Sequence, residues 1–312
     1  MFQYDFKVGY KKQYRVIIST DCKNEADDQF TVAHALMTPK FDIKAIIAAH
    51  FEKNFRAYGV GKTMDASYDE IVKIVDLMGI MDEYKDRLLK GATLPLADEK
   101  TPQVSEGAQA IIDEALREDE RRLFVLVQGS LTDVASAILM NPAICERMTV
   151  VWIGGGVWPE GNGHEFNLFQ DVNAANVVFA SAAEVWQIPM NVYKQMAVSL
   201  AELQLRVKPY GAIGNYLFTQ MVEFNDKMAD VPFDWPHGES WGLGDQGVIT
   251  VLLEELQSVN YKLEKAPLIN PEDLTYIHGK LDKEIRVYHT LNTRLTMEDF
   301  YAKLALNFPK EG

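Results

Sequence analysis

Residues 15–37 read RVIISTDCKNEADDQFTVAHALM. Arg15–Ser19 (RVIIS) is a near-continuous apolar run, as a parallel strand covered on both faces should be. A short polar turn separates it from Ala26–Met37, which has helical character. A strand passing through a tight turn into a helix is the opening of a βαβ unit. The unit recurs along the chain. Ile43–Ala49 (IKAIIAA), Leu123–Gln128 (LFVLVQ), Met148–Ile153 (MTVVWI) and Glu184–Pro189 (EVWQIP) read as further buried strands. Between them lie helical segments. Tyr68–Met78 carries Ile71, Ile74, Val75 and Met78, and Glu106–Leu116 repeats the pattern with Ala108, Ile111, Ile112 and Leu116; Leu131–Met140 and Ala174–Ala182 continue it. This alternation predicts an α/β fold with a doubly wound, mostly parallel sheet flanked by helices. After residue 195 the chain reads as mostly helical, with Glu284–Thr290 (EIRVYHT) a late strand near the sheet edge. Without a Pro/Gly/Ser linker, a fixed-period repeat or a low-complexity tract, residues 1–312 are expected to form one domain with a helical C-terminal part.

The chain has 312 residues, 47% of them hydrophobic, and a formal net charge of −14. That apolar fraction is globular and too high for a disordered chain. The acid excess argues against a nucleic-acid polymer as partner, because phosphates call for a basic face. It also disfavours anionic membrane surfaces. Cys22 and Cys145 are the only cysteines, so no disulfide framework is implied. The first residues, MFQYDFK, lack the basic and apolar regions of a secretion signal, and no apolar run approaches a membrane span. The expectation is a cytoplasmic protein.

In an open α/β sheet, ligands bind beyond the carboxyl ends of the strands. Directly after RVIIS come Asp21, Glu25, Asp27 and Asp28, four carboxylates in eight residues offset only by Lys23. Helix capping, with Asn24 or Glu25 beginning the helix, accounts for one or two of them. It leaves a carboxylate at the strand tip facing two more on the first helical turn. Such charges repel unless something positive lies between them. A hard divalent cation with all-oxygen ligands would do so, and Ca²⁺ takes six to eight. Adjacent Asp27 and Asp28 point about 100° apart on a helix, so one can bind metal while the other faces substrate.

Four segments in order then resemble the calcium-dependent nucleoside hydrolases of the inosine–uridine type. They are Thr20-Asp21 through Asp27-Asp28; Gln128-Gly129-Ser130-Leu131-Thr132-Asp133; Gly154-Gly155-Gly156 with Glu165-Phe166-Asn167 and Asp171-Val172-Asn173-Ala174-Ala175; and Gly244-Asp245. The resemblance spans residues 15 to about 255. It implies hydrolysis of the N-glycosidic bond of ribonucleosides to free base and ribose, with Ca²⁺ held by Asp21, Asp28, the Gln128 carbonyl and Asp245. Asp27, Glu165 and Asn167 would then hold the ribose. Homodimers or homotetramers are implied as well. The chemistry is consistent: glycoside cleavage passes through an oxocarbenium-like species that nearby carboxylates favour. A water held by the cation is acidified, and Asp21 can take its proton as general base.

The sequence also departs from the family pattern. The spacing from Asp21 to Asp27 is two residues longer than in the best-known members, which makes Asn24 a candidate sugar contact. Ser19 stands where many members have a further Asp. Pro159 replaces an Asn, with Asn162 the nearest substitute. Gly244 stands where many members carry the His that protonates the leaving base, and glycine has no proton to give. Phe233, Trp235, His237 and Trp241 crowd the segment before Asp245, so Trp241 is a candidate base contact and His237 a candidate acid. His50, after the second strand, is a further candidate contact. Gly244 also motivates a second reading, a sugar- or nucleoside-binding relative that keeps the metal pocket with lost turnover or altered specificity. Dinucleotide, nucleophile-elbow and zinc signatures do not match the glycines and histidines present.

Overall fold

The computed structural model describes residues 2–231, 238–254 and 258–310. Six strands and the helices between them build the part that carries the sequence signal. They are β1 (Tyr14–Thr20), α1 (Asp28–Leu36), β2 (Phe41–Ala48), α2 (Thr63–Leu77), α3 (Met81–Tyr84), β3 (Leu88–Lys90) and α4 (Glu106–Leu116). β4 (Leu123–Gln128), α5 (Thr132–Met140), β5 (Thr149–Ile153), α6 (Phe166–Gln170), α7 (Val172–Ala180) and β6 (Glu184–Ile188) follow.

An eight-stranded sheet runs β3-β2-β1-β4-β5-β6 and is completed by β12 (Glu284–Tyr288) and β9 (Tyr261–Lys265). Every pairing is parallel except that of β9 with β12. Successive side chains of β1 therefore serve opposite cores. Val16 and Ile18 join one apolar cluster with Phe30 of α1, Ile71 and Ile74 of α2 and Phe300. Ile17 joins the other, with Ile111 of α4 and Val134 of α5. Phe30 is fully buried, with its ring centroid 5.9 Å from that of Phe300. Truncating such a ring costs about 3–5 kcal/mol, so this packing fixes the direction in which α1 leaves the sheet.

The C-terminal part is less helical than the sequence suggests. Beyond residue 195, α9 (Leu200–Arg206), α10 (Gly211–Lys227), α11 (Gly247–Leu253) and α12 (Thr293–Asn307) are interleaved with strands. β7 (Ala197–Ser199) pairs with β8 (Ser240–Gly242), and β10 (Leu268–Ile269) with β11 (Tyr276–Ile277), both antiparallel. The late strand β12 lies one place in from the edge. The edge is β9, whose YKLEK sequence is mostly solvent-facing and lacks the apolar run of a buried strand. Charged residues on an exposed edge discourage pairing with another chain.

Strand order reverses between β1 and β4, which are neighbours although β2 and β3 follow β1 in the chain. A crevice opens at such a switch point beyond the carboxyl ends of the strands. Asp21 follows β1 there, and Gln128 ends β4, paired in register with Thr20.

Candidate active site

The crevice is a cavity of about 1,410 Å³ whose floor is acidic. Asp21 follows β1, Asp27 directly precedes α1 and Asp28 begins it, and Asp245 lies in the 3-10 turn Gly244–Gln246 that leads into α11. Asp27, Asp28 and Asp245 each bring one carboxylate oxygen to within 4.8 Å of the others. Asp21 adjoins this set and is 1% exposed, and its Oδ2 has no hydrogen-bond partner. The Gln128 amide, beside it, is likewise buried without a partner. A Cβ at Gly129 would lie 3.0 Å from the Asp21 carboxyl carbon, so the glycine leaves that carboxyl its room.

Capping does not explain these acids. The helix begins at Asp28 rather than near Asn24, and Asp27 at the N-cap makes no side-chain capping bond. Asp28 accepts instead from the Thr20 hydroxyl, and Asp27 Oδ2 accepts the Asp245 backbone N–H at 3.3 Å. Burial first, then mutual repulsion, raises Asp21 and Asp245 well above the usual carboxylate range. The same burial and the adjacent Asp27 push Asp28 up to about 8, and burial pushes Asp27 up to about 6. Glu25, which also lines the cavity, is raised by burial and by Asp27 and Asp28. Closely set carboxylates with an unpartnered buried oxygen are a donor set for a hard cation. The tightest triplet includes Asp27, which the family resemblance assigns to the ribose.

Glu165 and Asn167 form the wall beside the β5 end. Glu165 accepts from the backbone N–H groups of Gly155 (2.7 Å), Leu168 (2.8 Å) and Asn167 (3.0 Å) and from the Tyr193 hydroxyl (3.1 Å). It thereby caps α6 and ties the 154–168 loop to α8 (Met190–Tyr193). Asn167 donates to the Ile153 carbonyl at 2.9 Å. Asn24 reaches the cavity rim and accepts from Asn54 at 3.1 Å, and Trp241 is buried in the wall with Phe224 edge-on at 5.6 Å.

Other candidates fall elsewhere. His50 is not among the cavity residues; it is fully buried, with Nε2 2.8 Å from the Thr132 hydroxyl. Thr132 donates in turn to Asp171 at 2.6 Å. Burial pushes His50 down to about 3, so it stays neutral in that chain of hydrogen bonds. Asn162 is exposed and is not among the cavity residues; its carbonyl accepts the Val157 N–H at 2.7 Å. His237, with Phe233 and Trp235, lies outside the described residues.

Tyr193 is the site residue that sequence reasoning missed. A Cβ at Gly244 would lie 2.8 Å from Tyr193 Cδ2, so the tyrosine ring fills the space a larger residue at 244 would need. The available signal was positional, since Tyr193 lies five residues beyond the carboxyl end of β6. Gly244→His should therefore destabilise by about 1–3 kcal/mol, lowering Tm by roughly 2–10 °C. Adding Tyr193→Ala should restore most of the loss. Thermal denaturation showing an unshifted Gly244→His variant would contradict this packing.

The chain is similar to known proteins in sequence and in fold. The family profile of the inosine-uridine preferring nucleoside hydrolases matches residues 16–290. An inosine-uridine preferring nucleoside hydrolase of Leishmania major is 29% identical over 129 residues, 40% of this chain and 41% of that protein. Uridine nucleosidase 1 of Arabidopsis thaliana is 24% identical over 306 residues, 90% of this chain and 82% of that one. The purine-preferring ribonucleoside hydrolase of Gardnerella vaginalis shares the fold, with a TM-score of 0.70, 16% identity and coverage of 94% of this chain and 99% of that chain. On the profile match over most of its length, the chain belongs to the inosine-uridine preferring nucleoside hydrolase family, whose named members are N-ribosyl hydrolases.

Proposed function

We propose that this protein hydrolyses the N-glycosidic bond of ribonucleosides with Ca²⁺ as cofactor and Asp21 as general base. The observation that carries the reading is the convergence of buried carboxylates on one point with an Asp21 oxygen left unpartnered. Asp21, Asp28, Asp245 and the Gln128 carbonyl would hold the cation, with Asp27 shared between it and the ribose. When bound, the cation supplies positive charge that orients water and lowers its pKa. Every donor in the set is oxygen, which suits Ca²⁺ over softer metals.

The chain's own groups do the rest. Asp21, which lines the cavity at the strand tip and keeps one oxygen unpartnered, would accept the proton of the attacking water. Asp27 and Asn167 present acceptors to ribose hydroxyls, and Glu165 keeps that wall in place. The surrounding carboxylates stabilise positive charge as it develops on the sugar. The family resemblance further supports a homodimer or homotetramer with a cytoplasmic role in base salvage; no described helix is long and apolar enough to cross a membrane.

Incubation with common ribonucleosides and Ca²⁺, assayed for reducing sugar, should show release of ribose. Absence of release from all of them, with cation binding intact, would overturn the reading. It would favour instead a binding relative without turnover, consistent with Tyr193 occupying the space beside Gly244.

A further inference from the structure

The floor of the cavity is acidic and its mouth is basic. Lys23, Arg56, Lys73, Lys194 and Lys227 all line it, in a chain whose net charge is −14. Two of these cations, Lys23 and Lys73, meet around Glu70 and Tyr216 on one side. Lys23 Nζ lies 3.0 Å from Glu70, which also accepts the Tyr216 hydroxyl, and Lys73 Nζ sits 3.9 Å from the centroid of the Tyr216 ring. The Arg56 segment is tied to the same loop from both flanks. Asn54 donates to Asn24 at 3.1 Å, and the Tyr58 hydroxyl donates to the Lys23 carbonyl at 3.3 Å. Among the described residues, neither Arg56 nor Lys73 has an ion-pair partner. Of the two acids of α10, Glu223 lines the cavity.

A neutral nucleoside gives these cations nothing to bind. The cavity, at about 1,410 Å³, also exceeds the roughly 300–1,000 Å³ usual for small-ligand sites. We infer that Arg56 and Lys73 form a phosphate subsite beside the Lys23–Glu70 pair, so that the substrate is a ribosyl compound bearing a phosphate monoester, a nucleoside 5′-monophosphate. The guanidinium fork of Arg56 suits two phosphate oxygens, and Lys73 adds a point charge. With the ribose over the acidic floor, the phosphate reaches outward to the rim. The C1′–N bond breaks, water supplies the new C1′–O bond, and the base leaves with a proton. The phosphoester is untouched, so the products are ribose 5-phosphate and free base.

The inference rests on the proposed N-ribosyl hydrolysis, and its test separates the two. Full-length wild type, Arg56→Glu, Lys73→Glu and the double variant are assayed with matched nucleosides and their 5′-monophosphates in the presence of Ca²⁺. The wild-type kcat/KM ratio of nucleotide to nucleoside should exceed about 10, and each charge reversal should lower that ratio about 5-fold or more, the double variant bringing it near one. Arg56→Lys should retain part of the preference. A ratio at or below one, or one unmoved by the reversals, overturns the subsite while leaving nucleoside hydrolysis standing. Should neither class be cleaved, calorimetric titration of adenosine and adenosine 5′-monophosphate reads the same ratio in Kd. Tighter nucleotide binding lost in the double variant upholds the subsite without turnover, and equal binding refutes it.

Discussion

Asp28→Ala should abolish tight Ca²⁺ binding and reduce nucleoside cleavage to background, whereas Asp21→Asn should leave a folded protein whose kcat falls about 10²–10⁴-fold. The two substitutions differ because the two side chains are held differently. Asp28 is one of three carboxylates whose oxygens lie within 4.8 Å of one another, and the Thr20 hydroxyl fixes its orientation. Alanine removes a charged ligand from the centre of the set. Asp21 instead keeps an oxygen without a partner at the end of β1. Asparagine preserves its volume against Gly129 and removes its basicity. Calorimetric Ca²⁺ titration of both variants, together with reducing-sugar kinetics, separates binding from chemistry. Asp27→Ala belongs in the same series, because the structure puts Asp27 in the tightest triplet. Turnover of Asp21→Asn within about tenfold of wild type would remove Asp21 from the general-base role.

How much of this is visible in sequence depends on whether the signal is local. β1, the acidic turn and α1 are contiguous, so the strand-tip rule finds Asp21, Asp27 and Asp28 from residues 15–37 alone. The buried parallel strands are legible for the same reason, since coverage on both faces demands continuous apolar runs. β9 is not, because an exposed edge strand needs no such run. The relation of Tyr193 to Gly244 is invisible for another reason. It joins residues far apart in the chain through a contact between a ring and a missing side chain. The rim cations are equally scattered, and it is the ties of Asn54 and Tyr58 to the 23–24 loop that bring the Arg56 segment against the Lys23 loop. His50 shows the reverse error. It follows a strand, as a ligand-facing residue would, but the hydroxyl of Thr132 holds it inside the core.

Ca²⁺ should stabilise the protein strongly at pH 8 and little at pH 5. Without a cation, Asp21, Glu25, Asp27, Asp28 and Asp245 repel one another, and Lys23 of the same loop is turned to Glu70. Their folded values are raised, with Asp27 at about 6 and Asp28 at about 8. The folded state therefore holds more protons than the unfolded chain, whose Asp residues titrate near about 3.9. Stability follows the difference in bound protons. It is greatest below the unfolded value and declines as pH rises through about 6 and then about 8. Cation binding requires the deprotonated ligands and so competes with those protons. At pH 8 the cation relieves the repulsion; at pH 5 it must first displace protons. A ligand at about 100 times its Kd adds about 2.7 kcal/mol, which for a chain of this size is a Tm rise of roughly 5–10 °C. Thermal melts with EDTA and with excess Ca²⁺ across pH 5–8 measure the difference directly. A Ca²⁺ shift that is the same at both ends of the range would mean that the buried carboxylates do not carry the cation.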